Sequence, residues 1–151
     1  MIKEQKEINY KDSRGTIMDV FVGRPFEHCV IIHSNPNSVR GNHYHEKSEQ
    51  CDFMIKGKMK VFSRKADSDV IEESISREGE WIEWEKGEAH EFIAIDDVVF
   101  MSVVNGPRGG DEYESDTYHL KIPLHEQLAQ KITDRTLVTS KDYNEGLKSS
   151  N

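Results

Sequence analysis

Between about residue 8 and residue 122 the chain is cut into short apolar or alternating segments with little helical periodicity. The segments fall at residues 16–21, 29–33, 50–56, 58–63, 70–75, 81–84, 89–95, 98–104 and 117–122. Turn signals such as Asp12-Ser-Arg-Gly15, Asn35-Pro-Asn37, Lys56-Gly57 and Asp96-Asp97 separate them. Many short strands at this spacing predict an all-β sandwich or barrel. Residues 98–104 are apolar on both faces, as a strand covered on each side requires. One helix is expected, over residues 124–132 after Pro123, and the residues past about Asp134 read as polar and loosely held. With 151 residues there is material for one core-forming domain, divided here into a barrel, 1–123, and a C-terminal helix with a flexible tail, 124–151.

Two histidines one residue apart, His43 and His45, lie in Val39-Arg-Gly-Asn-His-Tyr-His45, and His90 follows after a glycine-bearing stretch. On a strand, His43 and His45 point to one face, roughly 6.5–7 Å apart, because side chains alternate with period two. Gln50, Asp52 and Met54 share one face of the next strand, and Cys51, Phe53 and Ile55 form the apolar opposite face. His90 shares its face with Phe92 and Ala94. His43, His45, Gln50 and His90 make a donor set typical of one divalent transition metal, Zn, Fe, Mn or Ni. The same imidazoles, which titrate near neutrality, also suit proton transfer. Both readings stand at this point.

These positions resemble the two motifs of the cupin superfamily. The first appears as Gly41-Asn-His43-Tyr-His45-Glu-Lys-Ser-Glu49-Gln50 ending at Gly57, with Gln50 at the family's carboxylate position. The second appears as Gly79, Glu85-Lys-Gly87 and His90. The resemblance implies a single jelly-roll-like β-barrel. The run Arg40-Gly-Asn-His43-Tyr-His45 followed by Glu49-Gln50, with Asp12-Ser-Arg-Gly15 upstream, looks more narrowly like cupins acting on nucleotide-activated sugars. These are the dTDP-sugar 3,4-ketoisomerases and dTDP-4-dehydrorhamnose 3,5-epimerases. That likeness implies a nucleotide-sugar substrate, a homodimer, and His43 and His45 as the proton-transfer pair.

Moving a carbonyl, or inverting the carbon beside it, requires removal of an α-proton and stabilisation of an enolate. A phenol such as Tyr113 or Tyr118 would donate the second proton, and Arg40, with Arg14 or Arg24, would hold a diphosphate by bidentate bonds. Asp52 would either handle a proton or orient a histidine. The alternative is a metal-dependent cupin, whether dioxygenase, lyase or cyclase, or small-molecule binding module.

A net charge of −8 with no basic cluster argues against nucleic acid as a partner, which needs Lys and Arg to neutralise phosphates. The opening MIKEQKEINYKD lacks the apolar centre of a signal peptide, and no run reaches membrane-spanning length, so a cytoplasmic protein is expected. Cys29 and Cys51 read as reduced core thiols. His28, His33, His119 and His125 read as core or surface residues without a chemical role. Trp81 and Trp84 read as cover for a sheet face or subunit contact, and Glu83, Glu85, Glu88 and Glu91 as a solvated acidic face.

Overall fold

The structure is a computed structural model and describes residues 1–112 and 114–149, the last three of these by backbone alone. Its strands are β1 (Ile2–Gln5), β2 (Tyr10–Asp12), β3 (Gly15–Ile17), β4 (His28–Ser34), β5 (Val39–Tyr44), β6 (Glu49–Lys56) and β7 (Lys58–Arg64). They continue as β8 (Glu72–Arg77), β9 (Glu80–Glu83), β10 (Ala89–Ala94), β11 (Val98–Asn105), β12 (Tyr118–Leu120) and β13 (Leu137–Val138). Helices α1 (Leu124–Gln130) and α2 (Ser140–Ser149) complete the described chain. No described helix is long and apolar enough to cross a membrane.

Two antiparallel sheets face each other. One runs β1-β9-β6-β11-β4 and the other β13-β12-β5-β10-β7-β8, while β2 and β3 form a separate hairpin. Period-two alternation sends Met54 and Phe100 from the first sheet, and Met59, Val61 and Phe92 from the second, into one shared core with Ile82 and Val98. Each such side chain, fully removed from water, contributes about 1.5–3 kcal/mol. This core fills one end of the barrel. The other end is left to polar groups.

On the outer face of the six-stranded sheet, Phe62, Ala89 and Leu120 pack beneath Leu124 of α1. On the outer face of the five-stranded sheet, Cys51, Trp81 and Val103 are covered by Val20 and Phe26. Burial pushes the Cys51 thiol up to about 12, so it is an inert core group. Cys29, in contrast, is exposed, because its neighbours Val30 and His28 take the inward positions of β4. The acidic face expected over residues 83–91 is also corrected. Glu88 and Glu91 are fully buried, Glu91 accepting the Leu124 amide at 2.7 Å and pairing with His125 at the start of α1.

Candidate active site

Gly41 and Asn42 set the histidine pair. Both adopt positive φ, 81° and 57°, and β10 is bulged against them between His90 and Glu91. A Cβ at Gly41 would stand 2.8 Å from the His90 carbonyl oxygen, so only glycine allows β5 and β10 to approach this closely. The Asn42 side chain is buried and donates to the Leu120 carbonyl at 2.8 Å, which holds the unusual backbone conformation in place. Beyond this kink His43 lies opposite His90 on one side and His119 of β12 on the other.

The three expected imidazoles converge. Ring centres are 4.7 Å apart for His43–His45, 4.9 Å for His43–His90 and 5.4 Å for His45–His90. One ring nitrogen from each falls within 4.8 Å of the others. His45 Nδ1 lies 2.7 Å from the Asp116 carbonyl and His90 Nδ1 lies 3.2 Å from the Glu88 carbonyl. A carbonyl oxygen only accepts, so each Nδ1 carries the proton and each Nε2 keeps a lone pair. Those Nε2 atoms are buried without a hydrogen-bond partner among the described residues.

All three rings are held neutral. Burial lowers His43 and His90 well below the usual imidazole range, helped by the neighbouring histidines and the Arg108 cation. Burial and Arg108 lower His45 to about 4, against the opposing pull of the Asp116 carbonyl. Trp84 stacks on His90 at 4.5 Å and donates its indole N–H to Asp52 at 2.6 Å. Asp52 is fully buried and also accepts from the Gln50 amide, and burial raises its carboxyl above the usual range. It therefore braces the walls of the site. Gln50 in turn offers its side-chain oxygen to Arg108.

A cavity of about 230 Å³ opens over this cluster, with His43, Gln50, Arg108, His119, Arg40 and Tyr143 among its lining. Of the three converging histidines it is His43 that lines the cavity, and His45 and His90 lie buried behind it. Arg40 sits at the rim, its guanidinium donating to Ser34 Oγ at 2.7 Å and the His33 carbonyl at 2.8 Å.

Other sequence-derived candidates lie elsewhere. Tyr118 points away from the cavity, since it alternates with His119, and stacks on Tyr44 at 5.0 Å. Arg14 is exposed on the β2–β3 hairpin, paired with Asp12 and lining a different hollow. Arg24 is drawn to Glu83 and the Phe26 ring. Tyr113 lies outside the described residues.

Several cavity residues are not apparent from sequence. His28 and His119, which read as inert in the chain, both line the cavity. His119 Nε2 lies 3.0 Å from the Glu114 carboxylate, its Nδ1 is buried without a hydrogen-bond partner among the described residues, and Tyr143 stacks on its ring at 4.2 Å. The clue available is positional: with Tyr118 outward, period two turns His119 inward. Arg108 carries no such signal, because it follows β11 in an irregular loop whose direction no pattern specifies.

A family model described as the polysaccharide biosynthesis C-terminal domain matches residues 10–118. No curated protein sequence matches the chain. Among solved structures, dTDP-4-dehydrorhamnose 3,5-epimerase from Sulfolobus tokodaii aligns at TM-score 0.62 and 17% identity, over 74% of this chain and 72% of that one. A 3,4-ketoisomerase from Helicobacter canadensis aligns at 0.64 and 13% identity, over 86% and 95%. The capsular polysaccharide assembling protein CapF from Staphylococcus aureus aligns at 0.57 and 24% identity over 78% of this chain, which spans only 34% of CapF. The fold is shared with these structures, an antiparallel, jelly-roll-like barrel.

Proposed function

The chain belongs to the polysaccharide biosynthesis C-terminal domain family, and from that premise we propose that it is an isomerase or epimerase acting on a nucleotide-linked keto-sugar in surface-polysaccharide synthesis. The observation that carries this reading is His43, a neutral, half-buried imidazole opening onto a cavity whose wall holds the Arg108 cation. A neutral imidazole accepts a proton at physiological pH, which a permanently charged one does not.

In the proposed reaction a nitrogen of His43 takes the proton from a carbon next to the sugar ketone. The C–H electron pair moves into the carbonyl, and negative charge develops on its oxygen. Arg108, kept in place by Gln50, stabilises that oxygen without reorganisation at the moment of reaction. Return of a proton to the other face of the same carbon gives the epimer; return to the former carbonyl carbon, with the neighbouring hydroxyl's proton passing to the enolate oxygen, gives the ketoisomer. His119, coupled to Glu114, faces the same space and supplies a second proton-handling group. Arg40 at the rim meets the diphosphate.

The test is solvent-deuterium incorporation into a panel of nucleotide-linked 4-keto-sugars, read by mass spectrometry. Incorporation by the wild-type protein and at least a hundredfold slower incorporation by His43→Asn is expected. No incorporation across the panel would remove the isomerase reading.

A second reading is supported by the spacing of the ring nitrogens. Three neutral donors within 4.8 Å, two of them oriented by backbone carbonyls, fit one divalent transition metal held by His43, His45 and His90. Gln50 is left out of that set because its oxygen already accepts from Arg108. An ion there supplies Lewis-acid polarisation of a ligand oxygen. Elemental analysis of protein purified without a metal-affinity step checks this, with about one metal per chain expected if the reading holds.

For the homodimer we favour the outer face of the five-stranded sheet. Ile31 and Ile55 remain 54% and 41% exposed there, beside the partly buried Phe53 and Met101. Light scattering on Ile31→Lys should report monomer where the wild type reports dimer.

A further inference from the structure

Arg64 has no part in the chemistry above, yet it is a buried cation. It leaves β7 on the outer face of the six-stranded sheet, since its neighbour Ser63 pairs with His90 on the inner side. Its residue is only 2% exposed. The guanidinium donates to Gln127 Oε1 at 2.8 Å and to the Asp134 carbonyl at 3.1 Å, both neutral acceptors. Its Nε is buried with no hydrogen-bond partner among the described residues. The Asp69 and Asp134 carboxylates favour the charge from nearby, while Nε stays a buried donor without an acceptor, which is costly.

Beside it lies a hollow of about 250 Å³, separate from the histidine cavity and on the opposite face of the sheet. Tyr44, Glu46, Arg64, Leu120 and Arg135 supply its reactive and apolar walls, with Ala66, Gly87 and Ala89 in between. Arg135 is tethered to the Ser68 carbonyl and to Asp69, so its guanidinium is held near that of Arg64 instead of escaping into solvent. Two guanidinium groups on one small concave surface attract a single multivalent oxyanion, because each forks onto two oxygens. Glu46 repels an anion but accepts hydroxyl protons.

We propose that this outer hollow binds a phosphate monoester, with Arg64 and Arg135 on the phosphate and Glu46 on a hydroxyl of the group that carries it. The volume suits a small sugar phosphate. The site lies directly behind the chemistry. Tyr44, in its wall, ends β5 between His43 and His45, and Gly87, also in the wall, donates its amide to the His45 carbonyl at 2.7 Å. A ligand there therefore touches the segment that carries the histidine pair.

Two probes separate the sources of the anion: inorganic phosphate alone and glucose 1-phosphate. Calorimetric titration at constant ionic strength should give saturable binding of glucose 1-phosphate, at least tenfold tighter than inorganic phosphate if Glu46 contributes. Arg135→Gln, at a half-exposed position where folding is not at risk, should weaken binding at least tenfold, the loss expected for one charge-assisted pair. Glu46→Gln should bring the two probes closer together. Amide shifts on titration should centre on Ala66, Gly87 and Ala89. Arg64→Gln should weaken binding in the same way, and should that variant fail to fold, Arg135→Gln alone decides. No saturable binding of either probe, an unchanged affinity in Arg135→Gln, or shifts centred on Gly41 and Ser102 in the inner cavity would each overturn the assignment.

Discussion

The main-chain oxygen of Asp116 accepts the proton of His45 Nδ1 at 2.7 Å, while the carboxylate of the same residue accepts the amides of Glu46, Lys47 and Ser48. One residue thus fixes both the tautomer of the histidine and the path of the chain that leaves it. These amide bonds outweigh burial and hold the Asp116 carboxyl below its usual range. Asp116→Ala keeps the carbonyl but frees the 46–48 loop. We expect a loss of about 2–4 kcal/mol in urea unfolding, since three amide donors lose their acceptor. Deuterium incorporation should fall as well. Unchanged stability would show that the loop is held by other means.

Acid should unfold the protein through its histidines. His45 takes up a proton near pH 4 in the folded chain and near 6.5 when unfolded. Between those values the unfolded state binds more protons, so stability falls as the pH drops from about 6.5 towards 4. The gap for His45 corresponds to on the order of 3 kcal/mol, and His43 and His90 act in the same direction. Urea midpoints of chelator-treated protein across this range should trace the loss, and His45→Gln should flatten the slope. A slope unaltered by that substitution would place the acid sensitivity elsewhere.

Period-two patterning locates most of the barrel, and it places Gln50, Asp52 and Met54 on the inner face where the structure has them. It fails where the backbone departs from an ideal strand. The segment 39–44 is missing from the strands that the pattern picks out, because Gly41 and Asn42, which adopt positive φ in the structure, interrupt its alternation. Glu91 reads as solvated because local sequence cannot reveal that the amide of Leu124, distant along the chain, comes to it. The tail reads as loose since 140–149 is polar; it folds as α2, tied to the barrel by Tyr143 and by Ser140, which donates to Glu114 at 2.9 Å. Pattern reports the side a residue faces. It does not report what arrives there from afar.

Gly41→Ala tests the close approach of β5 and β10. The substitution places a Cβ 2.8 Å from the His90 carbonyl and 3.3 Å from Glu91 Cα, both backbone atoms, at a φ of 81° that alanine resists. We expect about 2–4 kcal/mol of destabilisation, combining overpacking with left-handed strain. Because the displaced carbonyl belongs to His90, zinc affinity should also drop if the three histidines hold metal. Thermal melts and zinc titration check both. A Tm indistinguishable from wild type would mean the strands yield without penalty.

Tyr143 is the means by which α2 closes the cavity. Its ring stacks on His119 at 4.2 Å with an interplanar angle of 16°, and its hydroxyl donates to the Gly41 carbonyl at 3.0 Å. Burial pushes the phenol up to about 12, so it stays a donor at any working pH. Tyr143→Phe removes the hydrogen bond alone and should cost about 0.5–1.5 kcal/mol. Tyr143→Ala removes the stack as well, and hydrogen exchange over 140–149 should then rise to the rate of an unprotected helix, while Tyr143→Phe keeps most of the protection. For substrate turnover, Tyr143→Ala should raise KM more than it lowers kcat, since a wall of the cavity is lost while His43 and Arg108 stay in place. Equal exchange in the alanine variant and the wild type would mean that α2 is anchored by something other than this ring.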